Sequence, residues 1–104
     1  MTTTIIQLGL PPRGFCHFDL PGGAQPIGVG MHDGVPVIWV RCNVADQTLA
    51  KRALHLRIAR TDDRLDRGVG RHIGSIVLDH SHGEMTLHVF EHDGYDYDMR
   101  EPVQ

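Results

Sequence analysis

Long apolar runs are missing from this chain. No stretch approaches the ~20 consecutive apolar residues that a membrane-spanning helix needs. The opening Met1–Thr4 carries no basic residue and Ile5–Leu10 is too short for the apolar part of a secretory signal. The expectation is a soluble, cytoplasmic protein. Cysteine is scarce as well: Cys16 and Cys42 are the two present. With no Cys-x-x-Cys pair, a disulfide framework and a cysteine-based zinc knuckle are excluded. Both alternate with polar neighbours, which predicts free thiols turned into the core. A basic excess is also lacking, since ten Lys and Arg face thirteen Asp and Glu for a net charge of −3. Nucleic-acid binding, which usually shows a cationic surplus, is disfavoured.

What is present is punctuation. Twelve glycines and six prolines in 104 residues cut the chain into short pieces, which favours strands over helices. The length suits one domain burying roughly 65% of its unfolded surface. Seven strand candidates follow: Thr4–Leu10, Phe15–Leu20, Ile27–His32, Val35–Cys42, Arg52–Arg60, Ile73–Asp79 and Met85–Glu91. In Phe15–Leu20, Cys16, Phe18 and Leu20 share one face. In Arg52–Arg60, Leu54, Leu56 and Ile58 do the same. A helix over Ala45–Ile58, capped by Asp46, is the competing pattern; the alternation makes a loop running into a strand the preferred one. Thr61–Arg71 is polar and reads as a loop. Residues 1–92 are expected to form a single β domain, and 93–104 an acidic tail.

The clearest local signal is Asp33-Gly34 between two apolar runs. A two-residue type I′ turn needs positive φ at both positions, and these residue types supply it. That turn pairs His32 with Val35, Met31 with Pro36, Val29 with Ile38 and Gly28 with Trp39. Ile27, Val29, Met31, Ile38 and Val40 then share one face. Gly28, Gly30, Val37 and Trp39 share the other, where the indole covers bare glycine backbone. Two apolar faces suggest a central pair of strands. The fold class is therefore all-β: a small antiparallel sandwich or partly open barrel of about six to seven strands.

Several segments together resemble a known family. They are Leu20-Pro21-Gly22-Gly23-Ala24, Gly34-Val35-Pro36-Val37-Ile38-Trp39-Val40, Arg57-Ile58, His72-Ile73-Gly74-Ser75-Ile76-Val77 and His88-Val89-Phe90-Glu91. Over Leu20–Glu91 the chain is similar to a small bacteriophage and prophage family that carries no assigned activity. The resemblance implies a phage-encoded accessory protein. Two departures stand out. Arg60-Thr61-Asp62-Asp63 replaces the Thr-Gly that relatives carry after the Arg-Ile strand, and Asp79–Glu84 lengthens the final hairpin.

Eight histidines are the compositional anomaly. His80, His82, His88 and His92 crowd the last hairpin, and imidazole is the commonest metal ligand. A zinc ion there would need four donors in tetrahedral array. The plainer expectation is a solvated hairpin tip with one or two histidines hydrogen-bonded on the sheet, and no cofactor. Catalytic signatures are missing. Ser75 and Ser81 lie in no Gly-x-Ser-x-Gly elbow, Cys16 and Cys42 have no activating neighbours, and Gly68-Val69-Gly70 has no following lysine. Asp62-Asp63, among arginines, reads as ion pairing. A non-enzymatic protein is expected.

Charge is segregated instead. Arg41–Arg71 holds eight basic residues against four acidic, whereas Glu91–Gln104 holds five acidic against one basic. The surface expected to bind a partner protein is Arg52, Arg57, Arg60, Arg64 and Arg71, with the acidic tail and its Tyr95 and Tyr97 second. Trp39 is expected to pack. Exposed sheet edges make a homo-oligomer plausible. Two rival functions stay open: a metal- or small-ligand-binding domain on the histidine hairpin, and a structural role in a virion.

Overall fold

The computed structural model describes residues 3–21, 23–43, 51–80 and 83–94. These hold seven strands: β1 (Thr3–Gly9), β2 (Gly14–Pro21), β3 (Gln25–His32), β4 (Val35–Asn43), β5 (Lys51–Arg60), β6 (Val69–His80) and β7 (Gly83–His92). They form two antiparallel sheets, β1-β4-β3 and β2-β5-β7-β6. The all-β sandwich expected from the alternation is the observed architecture. Residues 51–58 of the competing helix are strand; residues 45–50 lie outside the described set, as do Ser81, His82 and the tail from 95 onward.

The core is built from alternate positions of the strands. Ile38, Val40 and Cys42 of β4 meet Leu56 and Ile58 of β5, Leu87 and Val89 of β7, Ile76 of β6 and Leu20 of β2. Six of these, Ile38, Val40, Leu56, Ile58, Leu87 and Val89, are fully buried. At roughly 1.5–3 kcal/mol for each fully buried side chain, this cluster is the main source of stability. Cys42 is buried within it and the half-buried Cys16 packs against it, both as free thiols. Burial pushes the Cys16 thiol up to about 11 and raises that of Cys42 as well.

The first hairpin has the register read from its turn: His32 faces Val35, Met31 faces Pro36, Val29 faces Ile38 and Gly28 faces Trp39. Asp33 and Gly34 have φ of 51° and 80°, as a type I′ turn requires. The indole of Trp39 lies across Gly30 and Gly28, and its Nε1–H donates to Gln7 Oε1 at 3.0 Å. Two expectations need correction. The strand β3 is an edge, since β4 alone takes the centre of its sheet. Ile27 and Met31 are exposed, because a bulge between Pro26 and Gly28 displaces Ile27 and because Met31 lies at the hairpin tip.

The other correction concerns β6. It begins at Val69, inside the segment expected to be a loop, and pairs Val69 with His92. Register shifts between Val69 and His72, and again between His72 and Gly74, let the strand continue through its glycines. Gly74 lies where β3 crosses β6, so close that a Cβ there would fall 2.7 Å from Val29 Cγ2.

Candidate binding site

Two regions concentrate polar side chains: one end of the sandwich, and the outer face of the four-stranded sheet. At the end, β3 begins beside β5 and β6. A hollow of about 260 Å³ there is lined by Leu20, Ala24, Gln25, Leu54 and Arg52, among others. A second, of about 460 Å³, shares Ala24, Gln25 and Leu54 and adds Pro26, Arg71 and Glu91. The two adjoin as one groove of mixed polar and apolar lining. Arg52 stands on one side. On the other, Arg71 donates to Glu91 Oε2 at 2.8 Å. Lys51, exposed, faces Pro21 across β2–β5, and Arg41, exposed, faces Gln25 across β3–β4. Arg52 and Arg71 are thus the cations that line the groove, and Glu91 compensates Arg71.

On the outer face the 61–68 loop folds down over the sheet, and Arg57 holds it there. Its guanidinium lies 5.0 Å from the Phe15 ring centre, donates to Ile58 O at 2.8 Å and reaches Arg64 O at 3.2 Å. Only 11% of its side chain is exposed. Asp63, 3.8 Å from Arg57, accepts from Arg60 N and from Arg13, and its carboxyl is lowered to about 2, chiefly by the Arg13 hydrogen bond. Of the five arginines expected to form a partner surface, Arg57 is therefore covered by the loop and Arg60 is half-buried. Arg64 is exposed on the loop, while Arg52 and Arg71 flank the groove. The set is divided because Arg52 and Arg60 lie at opposite ends of β5, with Arg64 on the loop that follows and Arg71 on β6.

The histidines follow the same outer face. Gly94 N–H donates to His92 Nδ1 at 2.9 Å, so the ring proton is on Nε2 and is given to Asp66 Oδ2 at 2.8 Å. Burial raises the Asp66 carboxyl, but the bonds from His92 and the Gly68 amide outweigh it and hold the group below its ordinary value. With both nitrogens engaged and its side chain 1% exposed, His92 has no lone pair to offer an ion. His88, two residues before Phe90 on β7, has different partners. Its Nδ1 is 2.8 Å from Ser75 Oγ and its Nε2 is 2.9 Å from Thr61 Oγ1. His72 Nε2 closes on the same Ser75 Oγ at 3.0 Å. The side chain of His80 and all of His82 lie outside the described residues. Among the described residues no three His, Cys, Asp or Glu side chains group as a metal site. Sequence reading passed over His72 and Ser75 as partners because three residues separate them, which places them on opposite faces of a regular strand.

A family model of a domain of unknown function, DUF7352, matches residues 1–97. No curated protein and no solved structure gives a match.

Proposed function

The chain belongs to the DUF7352 family, and from that premise we propose that it is a non-enzymatic binding module whose groove at the Arg52 and Arg71 end takes an acidic, extended segment of a protein partner. The observation that carries the reading is the groove itself, lined by Leu20 and Leu54 together with Arg52 and Arg71, with exposed Arg41 and Lys51 paired to its neighbours Gln25 and Pro21. Such a surface offers apolar contact to alternate side chains of an extended peptide while the arginines receive its carboxylates. The cations also steer an acidic partner toward this end.

The outer-face chemistry supports a binding role over catalysis. Ser75 touches an imidazole, but behind His88 stands the hydroxyl of Thr61, where a hydrolase places a carboxylate to stabilise the imidazolium. The resemblance to phage domains extends the proposal: an accessory protein acting in the host cytoplasm by engaging a host or phage macromolecule. A panned library of random peptides tests it. The expected result is enrichment of Asp- and Glu-bearing extended sequences that shift the amide signals of Ala24, Gln25, Leu54 and Arg71. Arg52→Glu with Arg71→Glu should abolish those shifts. Enriched peptides that ignore the double charge reversal, or that map to the hairpin tip, would refute the assignment.

A further inference from the structure

Four strands lie at sheet edges: β1 and β3 in one sheet, β2 and β6 in the other. An edge presents a row of backbone N–H and C=O groups to whatever lies beside it, and proteins guard such rows with charge, proline or a bulge. Three of the four are guarded. The strand β2 carries Asp19 and ends on Pro21, β3 has Pro26 beside a bulge, and β6 has two register shifts with Arg71 and Asp79. The strand β1, Thr3-Thr4-Ile5-Ile6-Gln7-Leu8-Gly9, has no charge, no proline and an unbroken register against β4. We propose that β1 pairs antiparallel with the β1 of a second copy of this chain across a two-fold axis, joining their three-stranded sheets into one.

The hydrogen-bond phase of β1 fixes which groups are on offer. Leu10 N–H donates to Pro36 O at 2.9 Å, and carrying the β1–β4 register on by one residue sets these two opposite each other. In an antiparallel ladder, residues bonded to the partner strand alternate with residues that are not. Thr4, Ile6 and Leu8 therefore bond to Cys42, Val40 and Ile38 of β4, whereas Thr3, Ile5, Gln7 and Gly9 direct N–H and C=O away from it. The two-residue turn at Asp33-Gly34 sets the same phase independently. It commits Val35 and Val37 to β3, which leaves Pro36 and Ile38 for β1. Among the described residues no strand takes up the outward groups of β1.

Full overlap of the two strands makes the most bonds and puts Ile6 on the axis. Ile5 then pairs with Gln7 of the partner subunit, and Thr3 with Gly9 of the partner subunit. Outward residues meet outward residues. A slip of one residue would set them against groups already committed to β4. The side chains agree with this register. Ile6 and Leu8 pack on the core yet are half-buried, at the open side of their sheet. An adjoining strand covers them, with Ile6 against its own twin and Leu8 against Thr4 of the partner subunit. On the other face Ile5, 57% exposed, gains Gln7 of the partner subunit as its cross-strand neighbour. In a chain of net charge −3 the neutral β1 lets two identical copies meet with no like charges opposed. An isologous contact of this kind closes as a dimer.

Amide hydrogen exchange reads this contact directly. In untagged protein the N–H groups of Ile5, Gln7 and Gly9 should be protected at high concentration. They should lose that protection on dilution, in step with the dimer-to-monomer shift seen by analytical ultracentrifugation. Ile5→Pro removes an outward N–H and no bond to β4, a substitution that edge strands accept, and should leave a folded monomer. Ile5→Lys sets a charge on the edge and should weaken the dimer by roughly tenfold. Ile6→Cys places twin thiols on the axis, where facing Cα atoms stand ~4.5 Å apart, within disulfide reach. Mild oxidation should link them, and should not link Leu8→Cys. A monomer at every concentration, a dimer that survives both Ile5 variants or leaves the three amides freely exchanging, or cross-linking through Leu8→Cys in place of Ile6→Cys would each overturn the assignment. So would protection that appears only when an acidic peptide from the panned library is added, which would give the edge to a different chain.

Discussion

Replacing Gly74 by alanine probes a close approach between the two sheets. The added Cβ would fall 2.7 Å from Val29 Cγ2, whereas carbon atoms rest at ~3.5–4.0 Å, so about 1 Å has to be found. Gly74 does not have a positive φ, and the cost is therefore one of room, not of backbone conformation. Val29 cannot easily yield. It is β-branched and stiff at χ1, and it lies opposite the fully buried Ile38. Overpacking of this kind costs roughly 1–3 kcal/mol, offset by about 0.5–1 kcal/mol from replacing a glycine within a strand. The net expectation is a loss of about 1–2 kcal/mol, or a fall in Tm of roughly 5–15 °C for a domain of this size.

Val29→Ala removes the obstructing methyl. By itself it loses the burial of two carbons, at most about 1.6 kcal/mol. In that background Gly74→Ala should be neutral or stabilising, giving a coupling of about 1 kcal/mol or more between the two sites. Urea unfolding of the four proteins measures each corner of the cycle. If Gly74→Ala costs the same in both backgrounds, or stabilises the otherwise unaltered chain, β3 and β6 do not meet as described.

Other expectations are independent of that contact. Arg57→Lys keeps the charge but not the fork that serves Ile58 O and Arg64 O. It should cost about 2 kcal/mol and speed amide exchange in residues 61–68; unchanged exchange would mean that the loop is held otherwise. The Asp63 carboxyl, held near about 2 against an ordinary 3.8, contributes stability that is present above its ordinary value and lost as pH falls from about 4 toward 2. Asp63→Asn should flatten that part of the urea-midpoint profile; parallel profiles would deny the pair a role. Cys16, with its thiol raised to about 11, should react with a disulfide reagent at pH 8 only slowly until urea unfolds the chain, and prompt labelling of the native protein would contradict its packing. Gly30→Val would drive a side chain into the indole of Trp39, whose Cη2 lies 2.7 Å from an ideal Cβ there. The single-tryptophan emission should shift to the red, and an unmoved spectrum would place the indole elsewhere.

The strands and the first hairpin were legible because their determinants are local. Alternation in Phe15–Leu20 and Arg52–Arg60 reports which residues face inward, and Asp33-Gly34 imposes one register on the residues around it. The edge position of β3 was not legible, since it depends on β1 and β4 pairing across the intervening β2 and β3. The five arginines expected to form one surface are not brought together. Arg52 and Arg71 flank the groove as members of the expected set. Arg57, of identical chemistry, is turned under a loop whose path is set by contacts distant in sequence.

By itself the sequence determined that this is one antiparallel β domain with free thiols in its core, because period-two burial and turn chemistry act over a few residues. Only the tertiary structure decided which histidines meet. The register shift between His72 and Gly74 carries His72 and Ser75 to the same face as His88, while His92, four residues along β7, is clasped by Asp66 and Gly94. A bulge changes the face on which every later side chain of a strand emerges. That choice is made by the partner strand and by the core demanding Ile73 and Ile76 together, neither of which a linear pattern records.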